Sequence, residues 1–190
     1  MSRNFEDVLA FWLEELTPEQ WYKQDDAVDQ AIRDRFGEWL GDAVAGRLGR
    51  WKCSARGMLA YIILTDQFPR NIYRNDPTAF AYDLLALGMA QRAIQRGFDQ
   101  EIEEPARQFF FLPFMHSESL MMQERGVRLF MTRMSPGNMN LLHARAHRKV
   151  IRDFGRFPYR NGPLGRRTTG KEQAFLDAGG YGHAVRAVGG

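Results

Sequence analysis

Apolar residues recur three and four positions apart along most of this chain, the spacing of a helix face turned toward a core. Residues 5 to 16 place Phe5, Val8, Leu9, Trp12, Leu13 and Leu16 on one stripe, which predicts an amphipathic helix. Thr17-Pro18-Glu19-Gln20 carries capping-box residue types with proline at the first helical position, so a further helical turn starts there. Asp25 or Asp26 then caps a long helix that turns Val28, Ile32, Phe36, Trp39, Leu40 and Val44 inward. Ser54 caps a third, running through Met58, Leu59, Ile62 and Ile63 to a stop at Phe68-Pro69. Asp76-Pro77 opens a fourth, through Phe80, Leu84, Leu87 and Ile94 to a cap at Gly97. A fifth covers about 105 to 112 and ends at Pro113, a sixth about 117 to 134, and a seventh about 138 to 154 with Gly155 behind it. Thr169 and Glu172 stand at capping-box spacing for a short eighth helix to about Ala178.

No stretch alternates with period two, so the expected class is all-α: antiparallel helical hairpins, joined by short links and stacked as a tetratricopeptide-like superhelix. Residues 1–178 are expected as a single domain, with the glycine-rich residues 179–190 as a mobile tail.

Composition narrows the setting. The 190 residues are 44% hydrophobic and 13% aromatic, enough for a core that needs no covalent staple. Cys53 is the only cysteine, which rules out an internal disulfide and a cysteine-based zinc site. It is expected as a small buried apolar residue, and the setting as cytoplasmic. No apolar run, residues 109–114 included, approaches the roughly 20 residues of a membrane span. Glu6, Asp7, Glu14 and Glu15 interrupt the N-terminal apolar pattern, unlike a signal peptide. Neither a membrane nor secretion is expected. The net charge of +3 is unevenly placed, since residues 141–190 hold ten Arg or Lys against three Asp or Glu. Arginine supplies 22 of the 26 basic residues, a side chain that grips carboxylate or phosphate with two donors at once.

Candidate chemistry gathers at two near-identical segments, Asp66-Gln67-Phe68-Pro69-Arg70-Asn71 and Gly155-Arg156-Phe157-Pro158-Tyr159-Arg160-Asn161. Each sets a Phe-Pro stop and an Arg-Asn pair at an expected helix end, where proline stiffens the backbone that aims them. A third segment, Pro113-Phe114-Met115-His116-Ser117-Glu118, places a histidine and a carboxylate beside a serine able to cap the next helix. The leading expectation is one concave pocket for a small anionic ligand or an acidic peptide end. Its binding residues are Asp66, Arg70, Asn71, Arg156, Arg160, Asn161 and Arg166, with Arg70, Arg160 and Arg166 as donors to the anion. Asn71 and Asn161 would position them, and Asp66 and Glu118 would orient them. The rival is a hydrolase in which His116 or His147 is the general base and Glu118 or Asp66 its orienter, with metal assistance as a variant. A third reading makes the same cluster a brace within an interaction scaffold.

Three further patterns lead less far. His143 and His147 lie four apart, but Ala144 stands where a metalloprotease signature needs glutamate, and no metal site is expected. Gly165-Arg166-Arg167-Thr168-Thr169-Gly170-Lys171 follows a phosphate-loop spacing until Glu172 replaces the magnesium-binding Ser or Thr. What remains there is an anion site at a helix N-terminus beside Arg166 and Arg167. The basic and aromatic residues 156–160 could stack bases, yet nucleic acid is not an expected partner. No cofactor is expected, and the patterns specify no oligomeric state.

Taken together, Phe11-Trp12, Leu64-Thr65-Asp66-Gln67-Phe68-Pro69-Arg70-Asn71, Pro113-Phe114-Met115-His116-Ser117-Glu118, Gln123-Glu124 and the stretch from His147 through Arg166 carry a likeness. Through them the chain resembles the bacterial tetratricopeptide-like family known as domain of unknown function 924, over almost its whole length to about Leu176. The resemblance implies a tetratricopeptide-like helical fold and no settled activity. It places the family's motif positions on Asp66, Arg70, Asn71, His116, Glu118, His147, Arg156, Arg160, Asn161 and Arg166. Members commonly have histidine where Tyr159 stands here, which argues against an obligatory acid-base role at that position.

Overall fold

The computed structural model describes residues 3–189, and among them every regular element is helical. Backbone contacts divide the chain into two compact units, one of Met1–Arg74 with Thr78–Phe110, the other of Asn75–Pro77 with Phe111–Gly190.

In the first unit, α1 (Phe5–Leu9) is capped by Asn4 and widens directly into a π-helical turn, Ala10–Glu15. Asp25 caps α2 (Asp26–Phe36), accepting from the Ala27 and Val28 amides at 2.9 and 3.3 Å. After α3 (Trp39–Val44) and a 3-10 turn at Gly49–Cys53, Ser54 caps α4 (Ala55–Ile62) through the Gly57 amide. A second π-helical turn, Ile63–Gln67, leads into α5 (Phe68–Ile72), and α6 (Asp83–Gln95) ends before Gly97, which takes the expected left-handed conformation at φ 75°.

The stop expected at Phe68-Pro69 does not occur. Phe68 is helical at φ −59°, ψ −38°, and its N–H donates to the Ile63 carbonyl five residues back. The widened turn carries the ladder past Phe68 and brings Pro69, which has no N–H to place, to the start of α5. Pro113, expected to end a helix, likewise opens one.

α4 is buried on nearly every side and packs against α1 and α6, as an element apolar all round must. In the same unit Trp12, Phe11, Phe36 and Phe68 meet at ring separations of 5.1–6.2 Å, and Trp21 meets Phe109 at 5.0 Å. Two residues placed inward by pattern face solvent: Val44 is 64% and Leu84 84% exposed. The break between α2 and α3 shifts the phase of the apolar stripe, and α6 begins only at Asp83 after a 3-10 turn. Cys53, expected in the core, is exposed at the end of its 3-10 turn.

The second unit contains α7 (Leu112–His116), α8 (Leu120–Arg133), α9 (Met139–Phe154), a 3-10 turn at Pro158–Arg160, α10 (Gly170–Asp177) and α11 (Gly180–Gly189). Asn138 caps α9 and Gly155, at φ 71°, closes it. A Cβ at Gly126 would stand 3.0 Å from that of Phe114, so glycine lets α8 lie close on α7. α9 packs between its neighbours α8 and α11, over a core of Ala146, Val150, Ile151, Phe157 and Ala184. The expected mobile tail is thus helical over Gly180–Gly189. Tyr181, Ala184, Val185 and Val188 recur at helical spacing and supply an apolar face for α9, which the surrounding glycines mask in the sequence.

Candidate functional site

The second Phe-Pro segment follows the end of α9. Gly155 turns the chain, Phe157 is extended as a residue before proline prefers, and Pro158–Arg160 forms a 3-10 turn whose Arg160 amide donates to the Phe157 carbonyl. Arg160, only 8% exposed, lays its guanidinium 4.6 Å from the centre of the buried Phe157 ring.

The His116–Glu118 loop is fastened to this turn by one carboxylate. Glu118 Oε1 accepts from the Phe157 amide at 2.9 Å and from Arg166 Nη1 at 2.8 Å. Burial pushes the Glu118 carboxyl upward, but Arg166, the Phe157 amide and the nearby charge of Arg160 outweigh it and hold the group below its ordinary value. Gln123 secures the same loop from α8, its amide donating to the carbonyls of Met115 and Ser117 at 2.7 and 2.6 Å. Ser117, expected to cap the next helix, accepts instead from the Ser119 amide, and α8 starts at Leu120. The hydroxyl is spent on the loop.

His147 stands between these pieces. Its ring lies 5.4 Å from Phe157, 6.4 Å from His116 and 4.6 Å from Tyr181. Its Nδ1 is 2.9 Å from the His143 carbonyl, an acceptor only, so the hydrogen sits on Nδ1 and Nε2 carries the lone pair. Packing strips water from the imidazole and pulls its pKa down to about 3, with the neighbouring His116, Arg160 and His143 adding to the effect against the backbone bond. His143 Nδ1 meets the Tyr181 hydroxyl at 2.7 Å, and burial lowers its pKa as well. The two histidines therefore point these nitrogens at different partners. Among the described residues no three His, Cys, Asp or Glu side chains gather as metal ligands.

Arg156 and Asn161 lie beside this centre but are engaged elsewhere. Arg156 grips Glu172 with two bonds of 2.6 and 2.9 Å and also donates to the Arg167 carbonyl. Glu172 completes the capping box of α10, accepting from the Thr169 amide at 2.7 Å. Arg156 first, and then that amide, hold its carboxyl well below the usual range. The anion site expected at this helix start is filled by the chain's own glutamate. Asn161 is buried, donates to Thr168 Oγ1 at 3.3 Å, and its carbonyl receives the Arg166 amide at 2.8 Å.

The first Phe-Pro segment is used within its own unit. Asn71 donates to Asp29 on α2 at 2.7 Å, and Arg74 binds the same carboxylate through both Nε and Nη2. Arg70 reaches Asp83 at 2.8 Å and lies 3.5 Å from the fully buried Asp66. In the same unit a basin of about 690 Å³ is lined by Arg3, Arg47, Arg50, Glu38 and Asp42 over Trp51. Arg3 and Arg47 both clamp Asp42, at 2.8 and 2.6 Å, and so spend charge inside the basin. Two contributors to the histidine centre escape sequence reasoning. Gln123 is visible only as part of the motif pair Gln123-Glu124, and Tyr181 lies in the supposed tail.

A family profile described as "Bacterial protein of unknown function (DUF924)" matches residues 8–180. The solved structure of ATU0120, a protein of unknown function from Agrobacterium tumefaciens, is 39% identical and superposes with a TM-score of 0.86 over 91% of this chain and 96% of that one. Comparison with curated proteins finds no match. With its all-helical fold, its ordered motifs and a match over most of its length, this chain belongs to the bacterial DUF924 family.

Proposed function

We propose that the protein is a helical binding module whose second unit recognises a small anionic ligand, or the acidic end of a peptide, at the meeting of the His116–Glu118 loop with the 157–160 turn. The observation that carries this is the double grip of Glu118 on the Phe157 amide and Arg166, which holds His116, His147 and Arg160 at one place. Arg160, packed over Phe157, supplies fixed positive charge. Neutral His147 supplies an acceptor at Nε2. Arg166 stands at the rim, partly exposed and oriented by Glu118. A tetratricopeptide-like scaffold fits the way α8, α9 and α11 pack on one another. The lone cysteine accords with a cytoplasmic setting, and none of the described helices is long and apolar enough to cross a membrane.

The hydrolase reading is weaker at His147. An imidazole with so low a proton affinity is a poor general base at neutral pH, and its Nδ1 is held by a backbone carbonyl instead of an orienting carboxylate.

A thermal-shift panel of small carboxylates, phosphates and acidic peptides, run on wild type, Arg160→Lys and Arg160→Ala, tests the binding reading. A ligand that binds only the folded state raises its melting temperature. The shift is expected in wild type, reduced in Arg160→Lys and absent in Arg160→Ala. No stabilising ligand, or equal shifts in all three proteins, would sink it.

A further inference from the structure

The basin of the first unit gathers three arginines from two stretches of the chain. Gly46, at φ 74°, follows α3 and turns the backbone, so that Arg47 reaches back to Asp42, its Nε and Nη2 lying 2.7 and 2.6 Å from Oδ1. Three residues on, Gly49 opens the 3-10 turn that carries Arg50 and Trp51 into the wall of the basin. Arg3 arrives from the entry to α1, where its Nε donates to Asp42 Oδ2 at 2.8 Å and its guanidinium lies 5.2 Å from the centre of the Trp39 ring. The Arg3 carbonyl accepts from the Trp51 indole at 3.2 Å. One carboxylate thus holds two guanidinium groups in place, each by a different oxygen.

The charges around this space do not balance. Arg3, Arg47 and Arg50 face only Asp42 and Glu38. Asp42 is taken by two of the arginines, and Glu38, its side chain 88% exposed, joins them through a single 3.3 Å bond to Arg3 Nη2. Arg50 is exposed and has no hydrogen-bond or ion-pair partner among the described residues, and the same holds for Nη1 of Arg3 and of Arg47. A lone exposed cation is ordinary on a protein surface. Here it borders an open volume of about 690 Å³, within the size range of small-molecule sites, beside two guanidinium groups already fixed in direction.

We propose that this basin is a binding site for a small phosphomonoester. Its phosphate lies among Arg50 and the open Nη1 groups of Arg3 and Arg47, and it takes the place of Glu38, whose carboxylate turns out into water. With Glu38 displaced, three guanidinium charges stand against the one carboxylate of Asp42. A phosphomonoester, with a charge of about −2 at neutral pH, neutralises the difference, whereas a carboxylate monoanion only halves it. Planar guanidinium groups also meet phosphate oxygens two at a time. Because Asp42 orients Arg3 and Arg47 before any ligand arrives, little ordering remains to oppose binding. The volume leaves room beyond the phosphate for a small organic body. The basin shares no residue with the site proposed in the second unit and does not depend on it.

Titration of glycerol 3-phosphate into the isotope-labelled full chain, followed by calorimetry and by the indole NMR signals of its four tryptophans, provides the test. Binding should move the signals of Trp51 in the wall and Trp39 beneath Arg3, and leave those of Trp12 and Trp21 in the aromatic core. Arg50→Gln removes a side chain that braces nothing, so the fold stays intact, and should weaken binding about fivefold or more. Glu38→Gln removes the competing carboxylate and should tighten it about twofold or more. Acetate should bind about fivefold more weakly than the phosphate or worse. A phosphate-induced thermal shift that survives Arg160→Ala but is lost in Arg50→Gln would report this basin and not the second unit's site. The proposal is overturned by no binding up to about 10 mM, by binding that leaves the Trp51 signal unmoved, or by binding that Arg50→Gln does not weaken. Weaker binding by Glu38→Gln rejects the exchange of carboxylate for phosphate. Equal binding of acetate, or preference for a phosphoserine peptide, overturns the ligand class.

Discussion

Phe68 sits in a helix that runs on through Pro69, whereas Phe157 is extended and follows a helix already closed by Gly155. Both rings are fully buried, and both segments continue into an arginine and an asparagine. In the first, the π-helical turn keeps Arg70 and Asn71 on helical backbone, from which they reach Asp83 and Asp29. In the second, the inserted Tyr159 and the 3-10 turn fold Arg160 back over Phe157, beside His147. A shared short motif therefore fixes which side chains are available, and the backbone before the proline decides whether they brace a helix pair or form a polar centre.

The largest effect should come from removing the rings. Phe68→Ala is expected to cost about 3–5 kcal/mol in denaturant unfolding while leaving the His147 NMR titration unchanged. Phe157→Ala should also destabilise, and in addition should raise the His147 pKa, because that ring helps to keep water from the imidazole. If both variants move His147 equally, the division of tasks between the segments is wrong.

Asn71→Ala should cost about 1–3 kcal/mol by the same measurement, since it withdraws a short bond from the buried Asp29 carboxylate. Glu118→Gln probes the second segment through pH. The folded carboxyl binds its proton less readily than the unfolded one, so between the two values the unfolded state holds more protons and stability rises with pH. The cost of Glu118→Gln should be about 1–2 kcal/mol at pH 7 and should disappear as the pH falls below the ordinary carboxylate value of 4.5 and through the folded value. Unfolding curves at pH 7 and in acid check the sign, and a gap that persists in acid rejects it. The smallest effect is expected from Asn161→Ala, below about 1 kcal/mol. Its bond to Thr168 is long at 3.3 Å, and its buried Oδ1 has no hydrogen-bond partner among the described residues.

Ser117 apart, the sequence is an accurate guide where a helix end depends on neighbouring residues. Asp25, Ser54, Asn138, Gly97, Gly155 and the Thr169–Glu172 box all stand where capping chemistry puts them. The errors share a different origin. Pro69 and Pro113 read as stops because proline lacks a donor, but that lack matters only if the helix needs the bond. Each proline stands in a first turn instead. Arg156 stands among the expected binding residues as a motif position, and the structure pairs it with the Glu172 carboxylate that caps α10, sixteen residues on. Gln123 and Tyr181 are invisible as site residues because no local pattern distinguishes a glutamine that holds a loop or a tyrosine that covers a histidine.

By itself the sequence determined the all-helical class, most of the caps and the segments in which polar chemistry gathers, because these follow from periodicity and from interactions within a few residues. The tertiary structure alone decided that the paired Phe-Pro segments diverge in use, that α11 packs on α9, and that His147 lies neutral beneath Tyr181. Those outcomes depend on which distant side chain removes water from which group, and desolvation is a property of packing that no run of neighbouring residues encodes.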